Sequence, residues 1–281
     1  MKINAMISIF AILLAGLSVA PGCKKKSDTT PAGPVPVVVT GNYSNLLPTS
    51  VDMIGNVTYD GGSFVTHRGF CWSSSIQTPT LYNDTAESGV GAGSYSVIIP
   101  GLKSQTLYYI RAYASNSNGT GYGSTLAVTT VPYSIGLYYE GGIIFYLDGT
   151  GEHGLIAATG DQSPGTVWGC FGTAIGSTGT AIGKGQVNTQ AIINLCSTVG
   201  IAPQICYFMV MNGYSDWFLP SKDELNQMFI QKNVIGGFTN IAYWSSSEYD
   251  ANLAWNQYLD DGSVYASNKN NVYCVRAVRT F

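Results

Sequence analysis

The sequence has few charged residues and almost no histidine. Asp, Glu, Lys and Arg make up 10% of its 281 residues, compared with the ~25% that is typical of soluble domains. Its two histidines, His67 and His153, are far apart and belong to no Ser/His/Asp or Cys/His pattern. Nucleophilic catalysis needs such a pattern to activate its nucleophile. We therefore expect a protein that is not an enzyme.

Basic residues are also too few for a polyanionic ligand. The chain has 13 Lys and Arg against 16 Asp and Glu, and removal of Lys2 with an N-terminal signal would leave 12 basic residues. Binding to nucleic acid depends on clustered basic side chains that release counter-ions. We expect no nucleic-acid partner. Disorder is excluded as well, because 45% hydrophobic residues can form a sizeable core.

A long hydrophobic run is missing at the N-terminus. The apolar stretch from Ile7 to Leu17 has about a dozen residues, whereas a membrane-spanning helix needs ~20. Lys2, this short stretch and small residues before Cys23 predict a signal peptide over residues 1–22 rather than a transmembrane anchor. The run Val19-Ala-Pro-Gly-Cys resembles a lipobox, so we expect Cys23 to be lipidated and residues 23–36 to form a flexible tether. This predicts an outer-membrane lipoprotein, exposed at the cell surface.

Cysteines are few and have no zinc-site spacing. Cys71 lies alone in an apolar run and is expected to be a buried free thiol. The C-terminal half contains four more, which allow three pairings: Cys170, Cys196, Cys206 and Cys274. We favour Cys196–Cys206 because both flank one short helical connection, which would leave Cys170 and Cys274 as the other pair. No C-x₂-C pair is present, so no metal site is predicted.

Residues 37–132 contain short alternating apolar runs separated by turn signals. This pattern predicts a β-sandwich. The expected strands are 37–40, 51–58, 64–72, 95–99, 106–114 and 126–130. Gly69 to Trp72, Thr106 to Ala114 and Asn118 to Gly123 resemble fibronectin type III-like modules of bacterial surface lipoproteins. That resemblance implies that Trp72 lies in the core and that Tyr108 occupies the tyrosine-corner position, both in structural roles.

Residues 133–281 combine helical and strand signals. A hairpin is expected over 138–158, helices over 188–196 and 201–211, and strands over 242–246, 253–259, 264–266 and 272–278. The first of these helices should have Asn188 as its cap and Ala191, Ile192 and Leu195 facing the core. Ser221 and Glu224 form a capping-box pattern before a further helix. Arg276 and Arg279 are expected to be structural arms that hold the last strand. The sequence therefore predicts an α+β domain after the sandwich.

Three ordered motifs link this second domain to a known family. They are Trp217-Phe-Leu-Pro-Ser-Lys-Asp-Glu-Leu, Tyr243-Trp-Ser-Ser-Ser and Val275-Arg-Ala-Val-Arg. Together they resemble the C-terminal domain of the Legionella collagen-like adhesin and its bacterial relatives. The resemblance implies a C-type-lectin-like α+β fold and a binding function. It also suggests a sulfated polysaccharide ligand, but residues 133–281 hold six basic residues against eleven acidic ones, which argues against such a polyanion.

The loops between the last strands are the predicted binding face. They mix tyrosine with Asn, Ser and Asp, a combination that gives rigid aromatic area beside adaptable hydrogen bonding. The candidate ligand-binding residues are Trp244, Glu248, Tyr249, Asn256, Tyr258, Asp260, Tyr265 and Asn270. We expect a surface adhesin or recognition module that binds a neutral glycan or a protein. Ordinary loops without a binding role are an equally simple interpretation.

Two further interpretations use the acidic residues of these loops. Glu248, Asp250, Asp260 and Asp261 could provide the paired carboxyls of a carbohydrate hydrolase. With Asn256, Asn268 and Asn270 they could instead provide oxygen ligands for Ca²⁺. Solvated loop acids without either role are the favoured interpretation, because no nearby residue predicts a raised carboxyl pKa.

Overall fold

A computed structural model describes residues 33–176 and 178–281 of the chain. The predicted signal peptide, the lipidated Cys23 and most of the predicted tether fall on residues 1–32, which lie outside the described residues. Within the described ranges, none of the helices has the length and hydrophobicity that crossing a bilayer requires.

The first domain is a sandwich of two antiparallel sheets. One sheet has the order β1-β2-β5, formed by Val37–Ser44, Val51–Tyr59 and Gly93–Ile99. The other has the order β4-β3-β6-β7, formed by Asp84–Glu87, His67–Ser73, Leu107–Asn116 and Gly119–Tyr122, with β8 (Leu126–Thr129) also paired to β6. Alternate residues of β2 and β5 are buried, as a sheet with one solvated face requires. The predicted β-sandwich is confirmed.

Structural residues of this domain lie where the sequence predicted them. Trp72 is buried in the core between the sheets. The Tyr108 hydroxyl accepts a hydrogen bond from the backbone N–H of Lys103 at 3.0 Å, which is the tyrosine-corner arrangement. Cys71 is a buried free thiol, and burial raises its pKa to about 11.

The second domain contains nine strands and four helices among its described residues. Its strands are β9 (Tyr138–Tyr139), β10 (Gly142–Leu147), β11 (Gly154–Ala157), β12 (Ser163–Thr166), β13 (Ala242–Glu248), β14 (Leu253–Tyr258), β15 (Val264–Asn268), β16 (Tyr273–Val275) and β17 (Val278–Thr280). Its helices are α1 (Gly185–Leu195), α2 (Ala202–Tyr207), α3 (Lys222–Ile230) and α4 (Lys232–Ile235). The sheet orders are β17-β11-β10-β9 and β12-β16-β13-β14-β15. The last strand of the chain therefore joins the sheet that opens the domain.

Helix α1 differs from its predicted form. It begins after Lys184, not at Asn188, and Asn188 is a buried residue inside the helix rather than its cap. The Asn188 side chain bonds both the backbone of Gly179 and the hydroxyl of Ser246, at 2.7 to 3.2 Å. The predicted core residue Leu195 is exposed, whereas Ile192 is buried as expected. Asn188 therefore makes hydrogen bonds to residues outside the helix instead of capping its N-terminus.

Helix α3 begins with the predicted capping box. The Ser221 hydroxyl accepts from the backbone N–H of Glu224, and the Glu224 carboxylate accepts from the backbone N–H of Ser221 at 2.7 Å. The same carboxylate accepts from the N–H of Gly183 at 2.8 Å. Burial raises the pKa of Glu224, because the charged form loses water that these donors only partly replace. The capping box therefore also joins α3 to the loop before α1.

Both C-terminal arginines are structural, as predicted. Arg276 binds Asp161 and the carbonyls of Ala158, Gly236 and Gly237. Arg279 forms a two-point pair with Asp216 at 2.7 and 2.9 Å, and it also binds Glu140. These contacts connect β17 and the segment before it to four separate parts of the domain.

The disulfide pairing differs from the favoured prediction. Cys170 is bonded to Cys196, with Cα atoms 5.4 Å apart, while Cys206 and Cys274 are free and buried. The expectation of at least one disulfide in this domain is confirmed, but the pairs Cys196–Cys206 and Cys170–Cys274 are wrong. Cys206 packs into the core from α2, and Cys274 lies on β16, where its thiol contacts Thr239 and the carbonyl of Pro164.

Candidate functional site

Strand β13 is buried along almost its whole length, which removes two predicted ligand contacts. It lies between β16 and β14 in the centre of its sheet. Trp244 is fully buried and donates from its indole N–H to the carbonyl of Thr166 at 2.9 Å. Asn256, its partner on β14, is also buried, and its amide donates to the carbonyl of Tyr265. The prediction that Trp244 and Asn256 form part of an exposed binding face is wrong.

Glu248 is a third predicted contact that the fold uses internally. Its carboxylate lies 2.5 Å from the Lys269 ammonium, and their side chains are 7% and 0% exposed. It also accepts from the N–H groups of Ile175 and Gly176. The same ammonium donates to the carbonyl of Thr173 and lies 4.6 Å from the centre of the Trp168 ring. Glu248 is therefore not a solvated loop acid but the anchor of the loop around residue 175.

The remaining loop acids do not gather around Glu248. Asp250 accepts from the backbone N–H groups of Asn252 and Leu253 in its own turn. Asp261 accepts from Ser263, and these hydrogen bonds lower its pKa. A hydrolase that used Glu248 would need the Glu248 carboxyl to be free to exchange a proton with a substrate. That carboxyl is instead paired with Lys269. The oxygen set proposed for Ca²⁺ is divided in the same way, since Glu248 and Asn256 are held inside the protein.

Three predicted residues do come together in a surface cleft of about 480 Å³. The rings of Tyr258 and Tyr265 are 5.9 Å apart and perpendicular, and the exposed Asp260 lies beside them. Tyr265 is 53% exposed. We call this site the tyrosine cleft, and its lining is Asn240, Tyr258, Asp260, Asp261, Ser263, Tyr265, Ala266, Ser267 and Tyr273. It offers aromatic area, hydroxyl groups and carboxylates on one surface.

Adjacent strands and a tight turn produce this arrangement. Strands β14 and β15 pair antiparallel, with Asn256 opposite Tyr265, and the connecting turn holds both aspartates. The Lys232 ammonium of α4 donates to the backbone carbonyl of Asp260 at 2.6 Å, which fixes the turn and leaves the Asp260 side chain exposed. Tyr273 packs on the buried Trp244 with ring centres 4.6 Å apart. The cleft is therefore supported from the core.

Tyr249 and Asn270 lie outside the tyrosine cleft. Tyr249 is 57% exposed and packs edge-on against Trp255, whose ring also lies 4.4 Å from the Lys222 ammonium. Asn270 is exposed beside the Cys170 loop. The eight predicted contacts therefore divide into three buried residues, three that form one cleft and two at other places.

Sequence reasoning missed some residues of the tyrosine cleft and a second, larger cleft. Tyr273 and Asn240 were not singled out, although the tyrosine-rich composition of the last strands could have indicated Tyr273. A cleft of about 700 Å³ lies along α1 and the segment 207–218. The amide side chains in its lining recur at every fourth residue on one face of α1. The sequence analysis looked for periodic apolar residues, so it did not detect this polar face.

The second domain matches a family model. Residues 158–279 match the family described as the Lcl C-terminal domain. This range covers most of the second domain, begins directly after β11 and ends inside β17. The chain thus carries a β-sandwich followed by a domain that is similar to the Lcl C-terminal domain family. No curated protein sequence matches the chain significantly.

Solved structures resemble about a third of the chain at low identity. The sensor domain of the anti-sigma factor RsgI4 of Pseudobacteroides cellulosolvens is 15% identical, with a TM-score of 0.27, and the match covers 34% of this chain and 94% of that one. A fibronectin type III domain of human collagen XX is 20% identical, with a TM-score of 0.24, and the match covers 40% of this chain and all of that domain.

Proposed function

We propose that this protein is a non-enzymatic recognition module displayed on the cell surface, and that the tyrosine cleft of its Lcl C-terminal domain binds a glycan or a protein ligand. The observation that carries the proposal is the cleft itself. Two perpendicular tyrosines, exposed hydroxyls and an exposed carboxylate converge there on a rigid strand pair. This mixture suits adaptable polar recognition beside a flat aromatic surface.

The charge distribution supports an uncharged or basic ligand rather than a sulfated polysaccharide. Of the six basic residues in 133–281, Lys269, Arg276 and Arg279 are buried and paired with carboxylates. Lys232 is directed to the backbone of Asp260. A polyanion would need several free and adjacent cations, while the tyrosine cleft carries two aspartates.

The proposal extends to the arrangement of the whole chain. A lipid on Cys23 would anchor the protein in the outer membrane, a tether would follow it, and the sandwich would act as a spacer that presents a C-type-lectin-like domain. The return of β17 to the sheet of β10 and β11 supports that lectin-like assignment. Replacement of Cys23 by Ala should move the protein from the membrane to the soluble fraction. Unchanged membrane recovery would contradict the anchor.

Binding is tested with the whole secreted chain, carrying Cys23→Ala for solubility, on glycan and extracellular-matrix arrays. We expect binding to one ligand class that Tyr258→Ala/Tyr265→Ala reduces by about tenfold or more, since removal of buried aromatic contacts at a site costs over 1 kcal/mol. Tyr249→Ala is the matched control, because it removes an exposed tyrosine outside the cleft. EDTA tests a contribution from Ca²⁺.

Three results would contradict the proposal. Binding that is equal in the double variant and the control would place recognition elsewhere on the domain. Strong, salt-sensitive binding to heparin would contradict the charge argument. Turnover of a bound glycan that Asp260→Asn abolishes would favour the hydrolase alternative.

A further inference from the structure

A second large cleft lies apart from the tyrosine cleft. It follows the exposed face of α1 and has a volume of about 700 Å³, within the range of ~300–1,000 Å³ that ligand pockets occupy. We call it the α1 cleft, and its lining is Gln186, Val187, Gln190, Ala191, Asn194, Tyr207, Ser215, Asp216, Trp217 and Phe218. No residue of this lining belongs to the tyrosine cleft.

Three amide side chains form a row along the cleft. Gln186, Gln190 and Asn194 are four residues apart on α1, so they lie on one face at intervals of about 6 Å. The Gln190 amide donates to the Asn194 carbonyl oxygen at 2.8 Å. This bond fixes the orientation of both groups and leaves the Gln190 oxygen as an acceptor and the Asn194 amide as a donor. The row therefore presents alternating neutral donors and acceptors.

The opposite wall adds an aromatic ring and a carboxylate. Tyr207 is partly exposed, and its ring is held edge-on against Phe208 at 5.1 Å. Asp216 is 44% exposed and shares the Arg279 guanidinium with Glu140, so its negative charge is only partly compensated. Its remaining lone pairs can accept hydrogen bonds without requiring a cation from the ligand. No other charged side chain lines the cleft.

Trp217 gives a second, independent indication of a ligand. It is buried and lines the cleft, and its indole N–H has no hydrogen-bond acceptor among the described residues. Tryptophan N–H groups in buried positions are normally paired. This N–H is itself buried, so a hydroxyl or carbonyl oxygen from a ligand would reach it once the side chains that cover it move apart.

We propose that the α1 cleft binds a neutral oligosaccharide, independently of the tyrosine cleft. A sugar chain combines repeated hydroxyls, which match the amide row and Asp216, with an apolar ring face, which matches Tyr207. The lining contains no cation, and Asp216 keeps part of its negative charge, which disfavours sulfated or otherwise anionic chains. The spacing of the amides is about one sugar residue, so adjacent sugars would meet successive amides.

The test is an NMR titration of the whole soluble chain with neutral hexasaccharides of glucose, N-acetylglucosamine and mannose. Backbone amide signals of Gln190, Asn194 and Tyr207 should shift with at least one of them. Gln190→Ala/Asn194→Ala should weaken that binding by about tenfold, because it removes hydrogen bonds worth about a factor of ten together. Both positions are on a helix, where alanine preserves the fold.

Controls separate this site from the tyrosine cleft and from loss of structure. Gln227→Ala on α3 removes an amide outside the cleft and should leave binding unchanged. Trp217→Phe replaces the indole by a smaller aromatic ring without the N–H and should weaken binding. Tyr258→Ala/Tyr265→Ala should not affect it, so either site can fail without the other. The proposal is overturned if none of the hexasaccharides shifts these signals, if the α1 variant binds normally, or if only heparin fragments or extended peptides bind there.

Discussion

Lys269 has no exposed side-chain surface, and among the described residues its one charged partner within hydrogen-bond distance is Glu248. A buried pair of this kind is costly to break, because the remaining charge loses water without compensation. The pair also holds the loop around residue 175 through the Ile175 and Gly176 N–H groups. The polar run Ser-Ser-Ser-Glu248 therefore lies in the core, and Glu248 has a structural role instead of the predicted ligand-binding one.

Lys269→Met should destabilise the second domain by about 3–5 kcal/mol, because it leaves the Glu248 carboxylate buried without a cation. The double variant Lys269→Met/Glu248→Gln should recover part of that loss. Urea unfolding followed by tryptophan fluorescence measures it, since four of the five tryptophans lie in this domain. Equal stability of the single variant and the wild type would show that the pair is solvated. Lys184→Met, at an exposed position, is the control.

Residue-level chemistry also distinguishes the disulfide pairings. Trypsin cuts after Arg111, Lys184 and Lys222, so Cys196 and Cys206 fall in the same peptide. A Cys170–Cys196 bond should join peptide 112–184 to peptide 185–222 in a non-reducing digest, and reduction should separate them. An unlinked peptide 185–222 with an internal disulfide would restore the pairing that sequence spacing favoured.

The free thiol of Cys71 should resist alkylation at pH 8 in the folded protein, because its pKa is about 11.

At the scale of elements, the capping box of α3 connects three parts of the second domain. Glu224 receives the N–H groups of Ser221 and Gly183, and the Ser221 hydroxyl donates to the carbonyl of Ala181. Gly185 begins α1 so close to this carboxylate that a Cβ would lie 2.2 Å from it. The first residue of α1, the helix that forms one wall of the α1 cleft, therefore lies against the same carboxylate that caps α3.

Ser221→Ala should cost about 1–2 kcal/mol, since it removes a cap and also a buried donor. Ser197→Ala is the matched control at an exposed position. Urea unfolding of the two variants gives the comparison. A cost no greater than that of the control would mean that the helix begins independently of this serine.

The pH dependence of stability tests Glu224. Burial raises its folded pKa above the unfolded value, so protonation favours the folded state, and the stability that this provides is lost as pH rises through the folded pKa. Relative to Glu224→Gln, which cannot titrate, the wild type should therefore gain stability as pH falls from 7 towards 5. A difference between the two proteins that stays constant over this range, or shrinks as pH falls, would contradict the raised pKa.

Across the whole molecule, strand alternation was the most dependable sequence signal. It predicted six strands of the sandwich, but β4 and β7 were missed, because one is a short polar edge strand and the other, Gly119–Tyr122, reads as a glycine-rich turn. The α+β content of the second domain was also predictable. Local patterns could not show that β13 is central and that its polar groups are paired, as when the Ser245 hydroxyl donates to the carbonyl of Trp255.

The two domains also contact each other. The Tyr139 hydroxyl lies 3.1 Å from the Thr49 hydroxyl of the sandwich, and the Tyr139 ring packs with Tyr133 and the C-terminal Phe281. Thr49 and Tyr139 are 90 positions apart, and Phe281 is farther along the chain still, so no local pattern predicted these contacts. They are compatible with the spacer role that we propose for the sandwich.

We propose that surface display and ligand binding by the tyrosine cleft together produce adhesion. Cells displaying the full chain should be retained under flow on the ligand that the arrays identify, and cells displaying Tyr258→Ala/Tyr265→Ala at the same surface density should be lost. Cells displaying Tyr249→Ala should be retained like the wild type. Equal retention of the double variant and the wild type would contradict the account, because recognition would then not use the tyrosine cleft.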